Sequence, residues 1–218
     1  MIDRRTLLIS AGAMPLAAVS GAAVAAAPTT TPSTGQGWTA DVEEFRRRQP
    51  VTARHEGVWE GVYRRYDAEG RPLGQHRSRV VIRFRPDPRG GSEIYRQSNY
   101  YFHPDGRVED IQTTGGFDGE RLRFASDRVE GWSIDDAGDP ARRTCLLYMN
   151  FLKNVSWYTA GVQVYELINI ADDGRHRTRM TQHLKDGRTL TRTLIDETFV
   201  TRDWAGTADW KAAPFAAP

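Results

Sequence analysis

From residue 56 onward, apolar side chains recur at every second position in short runs, and turn residues end almost every run. Val58-Trp59-Glu60-Gly61-Val62-Tyr63-Arg64-Arg65-Tyr66 runs into Asp67-Ala68-Glu69-Gly70. Residues 78–84 are followed by Pro86, Pro88, Gly90 and Gly91, and residues 94–102 by His103-Pro104-Asp105-Gly106. Further runs occupy 108–113, 121–126, 129–135, 144–152, 162–170, 176–184 and 189–201, joined at Asp118-Gly119, 136–140, Asp172-Asp173-Gly174 and Asp186-Gly187. A period of two places alternate side chains on opposite faces of a strand. Asp-Gly pairs suit hairpin turns because both residues tolerate a positive φ. The pattern predicts about ten consecutive antiparallel strands. A sheet of that size closes on itself or splits into two faces to remove its edges. The expectation is an all-β, single up-and-down barrel over 51–202, with a tail over 203–218. No nucleotide-binding glycine loop and no alternation of strands with helices argue for another class.

The segment before the strands has a different character. Arg4 and Arg5 precede Thr6-Leu7-Leu8-Ile9, and an alanine- and glycine-rich stretch ends in Ala23-Val24-Ala25-Ala26-Ala27. A charged start, a weakly apolar middle and small residues at the end predict a signal peptide over 1–27 of the twin-arginine type, hence a periplasmic or secreted protein. An ordinary secretory signal is the alternative. Alanine, glycine and Pro15 make the stretch a poor permanent span, so no stable membrane anchor is expected after cleavage. Residues 28–37 read as a disordered Thr/Pro/Ser/Gly linker. A short helix is expected over 38–50, with Thr39 able to cap it, Val42 and Phe45 sharing one face and Pro50 ending it.

Composition excludes several roles. The net charge of +2 falls to +1 when Asp3, Arg4 and Arg5 leave with a leader, and charged residues make up 27%. Such a balanced surface carries no footprint for nucleic acid. Cys145 is the one cysteine, so no internal disulfide framework exists. It lies in the apolar run Cys145-Leu146-Leu147-Tyr148-Met149, where a buried structural thiol is expected rather than a nucleophile.

Gly57-Val58-Trp59 at the head of the first strand resembles the Gly-x-Trp signature of lipocalins and other calycins. The longer string His55 to Tyr63 is similar to an uncharacterised family of bacterial calycin-related domains, as are Asp127-Arg128-Val129-Glu130-Gly131-Trp132 and Thr193-Leu194-Ile195-Asp196-Glu197. The likeness extends over roughly residues 50–202. It implies a barrel plugged at one end by Trp59 beside Gly57, with a late arginine packed over the indole. Arg192 is the expected partner, with Arg202 as the alternative.

In a barrel, alternate residues face the lumen. With Trp59 inward, Gly57, Gly61, Tyr63 and Arg65 share its face. On the third strand Tyr95, Gln97, Asn99 and Tyr101 form one face and Ile94, Arg96, Ser98, Tyr100 and Phe102 the other. Aromatic walls with amides suit a pocket for a small molecule, so Tyr63, Tyr95, Gln97, Asn99 and Tyr101 are the expected ligand-binding residues. Glu130 and Asp196 sit inside strand-like runs. Inside a barrel each would be a candidate acid or base, as would His183; pairing with an arginine is the competing reading. His176 and His183 lie seven apart and point to opposite faces, while His55, His76 and His103 fall near turns and read as solvated or locally bonded. No metal site and no cofactor are expected, with haem on a single axial His183 left open. Serines show no nucleophile elbow. Trp204 and Trp210 in the tail are too large to leave exposed, so at least one should pack on the barrel. The leading expectation is an exported barrel that binds a small, largely apolar or amphipathic molecule in its lumen. The alternatives are an isomerase, cyclase or lyase of the same fold, and an interaction module.

Overall fold

A computed structural model describes residues 37–139, 141–155 and 158–216. The expected export signal and nearly all of the linker lie outside these residues. The order is α1 (Val42–Arg48), α2 (Pro50–Arg54), β1 (Gly57–Asp67), β2 (Pro72–Phe84), β3 (Glu93–Phe102), β4 (Val108–Phe117), β5 (Leu122–Ala125), β6 (Val129–Asp135), β7 (Thr144–Phe151), β8 (Gln163–Ile170), β9 (His176–Lys185) and β10 (Arg188–Thr201). Each strand pairs antiparallel with the next, and β1 pairs with β10, giving a closed ten-stranded barrel. Closure gives every strand a partner on both sides, with β4 meeting the short β5 only at Gly116 and Phe117. The β9–β10 hairpin turns at Asp186 and Gly187, both at positive φ (52° and 73°), as the Asp-Gly pair requires.

At the seam where the barrel closes, Gly57 and Gly61 let β1 and β10 approach closely. A Cβ on Gly61 would lie 2.1 Å from the Asp196 carbonyl oxygen and 2.6 Å from Glu197 Cγ. The β1–β10 seam therefore needs a residue without a side chain at this point.

One end of the barrel is plugged. The helical segment differs from the single helix expected: Asp41, not Thr39, caps α1 by accepting from Glu44 N at 2.9 Å, and Pro50 begins α2 rather than ending α1. Thr39 instead forms a bridge with Phe117. The reason is that proline is compatible with a first helical turn, where its missing N–H is not needed. Val42 and Phe45 face inward together and join Trp59, Phe84, Phe117 and Leu122 in one apolar cluster. The helix pair is latched to β6 by Asp135, whose carboxylate accepts from Val51 N (2.7 Å) and Thr52 N (2.8 Å). Gln49 completes the latch, donating to the Glu120 carbonyl and accepting from Asp135 N, both at 2.7 Å.

The tail covers part of the barrel's outside. Trp210 is buried with Val58, Val81 and Tyr100, and Trp204 packs against the same cluster. Beneath the tail lies Arg79, fully buried on the outer face of β2. Its guanidinium bonds Glu60 and the carbonyls of Trp210, Ala213 (2.9 Å) and Pro214 (2.8 Å), and lies 4.7 Å from the Phe215 ring centre. Every lost hydration bond of this charge is thus replaced, which is what makes its burial tolerable.

Candidate functional site

The strands enclose a lumen of about 920 Å³. Register fixes which side chains reach it. Tyr63 and Arg65 of β1, Ile82 and Phe84 of β2, Leu147, Met149 and Phe151 of β7, and Val164 and Ile168 of β8 all line it. On β3 the lumen side is Tyr95, Gln97, Asn99 and Tyr101. With Tyr63, the five residues singled out in the sequence for a pocket therefore stand on one wall system around one cavity. Leu122 and Phe124 of β5 continue the apolar lining two strands along, and the Phe124 ring meets Tyr95 edge to face at 5.5 Å.

The plugged end is polar and closely paired. Trp59 is fully buried, and its Nε1–H donates to the His55 carbonyl at 2.9 Å. The guanidinium over its ring belongs to Arg177 of β9, 4.5 Å from the ring centre. Neither sequence candidate reaches it, since Arg192 and Arg202 are both exposed. Arg192 is an even-numbered β10 residue on the outer face. The stagger of a closed barrel instead brings Trp59 beside a residue two strands away, a relation no spacing within the sequence reveals.

Arg177 and Arg179 face two carboxylates, Glu197 and Glu166. Arg179 also reaches Glu197 at 3.4 Å and donates to Tyr63 Oη at 2.8 Å. Burial alone would raise the Glu197 pKa, but the two guanidiniums outweigh it and hold the carboxyl below its ordinary value. Burial pushes the Tyr63 phenol up. His55 is buried between Arg177 Nη1 (3.2 Å from Nδ1) and Cys145 Sγ (3.5 Å from Nε2). Burial, then Arg177, Arg179 and Arg54, push its pKa well below the usual histidine value, so the ring is neutral. Burial also pushes the Cys145 thiol up to about 12. Cys145 is thus the inert thiol its apolar run suggested.

The catalytic candidates are scattered. Asp196 faces outward and pairs with Arg64 at 2.5 Å, and Glu130 lies on the outer side of β6, accepting from Asn150 Nδ2 at 2.9 Å. The inward carboxylates are their unselected counterparts Glu197 and Glu166. On β10 the choice was one residue out of phase, and a one-residue shift exchanges faces. His183 does face inward, with 8% of its surface exposed. Its Nδ1 meets Thr191 Oγ1 at 3.1 Å, and the Tyr158 ring stands 5.5 Å away, centre to centre. Burial, with Arg65 adding to it, lowers its pKa to about 4. His55 and His76 are buried rather than solvated; His76 stacks on Tyr63 at 5.2 Å, and its pKa falls to about 4 through burial and the neighbouring His103. His176 points out to solvent.

Along β3 the lumen side chains are joined to one another. The Tyr95 hydroxyl bonds Gln97 Oε1, and Gln97 Nε2 donates to Asn99 Oδ1 at 2.8 Å. Burial pushes the Tyr95 phenol up, so it stays protonated. Higher up, Tyr101 meets Tyr63 edge to face at 5.2 Å. At the same level, Tyr158 of the β7–β8 connection stacks on Phe151 with 4.1 Å between ring centres.

No family model and no curated protein matches the chain. Several solved structures are similar to it. One is a protein of unknown function of the DUF3598 family from Nostoc punctiforme, at 18% identity and TM-score 0.43, covering 68% of this chain and 48% of that one. Another is Rv2717c of M. tuberculosis, at 12% identity and TM-score 0.46, covering 70% and 96%. A third is lipocalin 12 from rat epididymis, at 13% identity and TM-score 0.36, covering 80% and 77%. The chain spans about half the length of the first of these. The barrel assignment itself rests on this chain's own strand order and register.

Proposed function

We propose that this protein is an exported, lipocalin-like carrier that binds a small, largely apolar molecule inside its barrel. The observation that carries the reading is the lumen of about 920 Å³, walled by Ile82, Phe84, Leu122, Phe124, Leu147 and Met149 and furnished with a few amides and hydroxyls. Ligand sites generally run to roughly 300–1,000 Å³, with apolar walls and a small number of placed polar groups. A cavity of that size represents packing forgone, because interiors otherwise fill to the density of organic crystals.

The enzyme alternative has less support. Its two carboxylate candidates stand on the outer surface, and the carboxylates that do face inward are locked in ion pairs. His183 with a pKa near 4 is a weak base at neutral pH. We propose no haem: His183 Nε2 is already covered by surrounding protein.

The test is fluorescence titration with N-phenyl-1-naphthylamine, whose emission rises in an apolar site. The wild-type protein should bind at one site per chain. Met149→Trp, which fills the middle of the lumen, should abolish binding while the far-UV circular dichroism stays unchanged. Unaltered binding in that variant places the probe outside the barrel and refutes the reading.

A further inference from the structure

The charges at the closed end of the lumen cancel, and on β3 Asn99 offers a hydrogen-bond donor to the cavity. Of the charged residues around the cavity, Arg177, Arg179, Glu166 and Glu197 lie at its closed end, two of each sign and mutually paired. The remaining ones, Arg65, Asp110, Asp127, Arg128 and Lys153, stand towards the mouth, where all but Arg65 are exposed. A charged ligand group drawn into the middle of the barrel would lose its hydration without meeting an uncompensated counter-charge, a cost of several kcal/mol in general terms.

The β3 relay has a direction. The Tyr95 hydroxyl donates to the Gln97 carbonyl oxygen. That leaves the Gln97 amide nitrogen to donate to the Asn99 carbonyl oxygen, which leaves Asn99 Nδ2 as the free end. Asn99 lines the lumen with only 5% of its surface exposed, and among the described residues Nδ2 donates to no group. Successive hydrogen bonds polarise one another, so the terminal N–H is a better donor than an isolated amide. The cross-strand neighbours of Asn99 are Val80 on β2 and Ile111 on β4, both apolar.

Resting on the carrier reading, we infer that the ligand is an uncharged apolar molecule bearing a hydrogen-bond acceptor, such as a ketone or ester carbonyl, that Asn99 Nδ2 engages. Carboxylate and ammonium amphiphiles of the same length are disfavoured. Asn99 is thus the residue that sets ligand chemistry, while the aromatic and aliphatic walls set size.

The experiment displaces N-phenyl-1-naphthylamine at pH 7.5 with 2-decanone, decane, decanoate and decylamine. The ketone should compete about tenfold better than each of the others, the difference one buried hydrogen bond to a neutral acceptor makes. Asn99→Leu should bring 2-decanone down to the level of decane at unchanged melting temperature. Should that variant not fold, Tyr95→Phe, which removes the head of the relay, should weaken ketone binding and leave decane binding alone. Tightest binding of decylamine would mean that the relay runs the other way and presents an acceptor, and that result overturns the inference. Tightest binding of decanoate, or equal binding of all four, overturns it as well. In each of these cases the probe itself still binds and the carrier reading stands, whereas a protein that binds no probe loses both.

Discussion

Replacing Trp59 by alanine tests the plugged end most directly. The indole is fully buried in the cluster that joins α1 to β1, β2 and β4. It contacts Phe199 edge to face at 5.1 Å, carries Arg177 on its face at 4.5 Å and donates to the His55 carbonyl at 2.9 Å. Large-to-small changes of this kind cost roughly 3–5 kcal/mol. For a domain of this size each kcal/mol lowers the melting temperature by about 2–4 °C, so the expected fall is roughly 6–20 °C. Trp59→Phe keeps a ring under Arg177 but strands the His55 carbonyl, and should cost about 1–2 kcal/mol. Urea melts followed by far-UV circular dichroism measure both. A double-mutant cycle between Trp59→Leu and Arg177→Lys should show coupling above about 0.5 kcal/mol, while Trp59→Leu and Arg192→Ala should be additive within about that amount. A loss below about 1 kcal/mol for Trp59→Ala, or coupling to Arg192 instead of Arg177, would refute the account.

The remaining expectations are narrower. Gly61→Ala should destabilise by about 1–3 kcal/mol, since its methyl must push apart the β1–β10 seam; a variant that melts with the wild type would show that the seam is loose. His183 has a folded pKa of about 4, below the ordinary value near 6.5, so the unfolded chain takes up its proton first. Its contribution is complete above about pH 6.5, declines as pH falls towards 4, and is constant below. The stability of His183→Gln should therefore fall less than that of the wild type between pH 7.5 and 4.5; parallel urea midpoints would contradict this. Changing both Arg4 and Arg5 to lysine should leave uncleaved precursor in the cytoplasm, and fractionation showing normal export would exclude the twin-arginine route.

Strand positions were legible in the sequence because period-two runs and Asp-Gly turns are local properties. The lumen face of β3 was legible too, since Tyr95, Gln97, Asn99 and Tyr101 share a parity with one another. Parity on β10 was harder to read, for a physical reason. Leu194 points outward while Thr191 and Thr193 line the lumen, the reverse of what hydrophobicity alone suggests. Outside, Leu194 lies in a cross-strand row with Met180, Leu167 and Leu146, so the apolar side of this strand faces its neighbours on the surface. The Arg177–Trp59 contact was invisible because it depends on the stagger between β1, β10 and β9. Arg177, Arg179, Glu166 and Glu197 could have been suspected only by noticing charges of opposite sign at lumen parity on adjacent strands.

The ring of strands is completed by residues 140 positions apart, Trp59 on β1 and Phe199 on β10. During synthesis the free edge of β1 must wait for the last strand, roughly 7–28 s at 5–20 residues per second. Until then the chain is at best an open sheet with two sticky borders, and a ribosome that stalls before residue 188 releases a product that no partial folding can protect. The tail that follows lays Trp210 over Val58 and Val81 and ties Arg79 to its own carbonyls. The segment that follows β10 thus covers the outer face of β1 and β2, so strands made early keep an apolar face uncovered until residues made much later arrive.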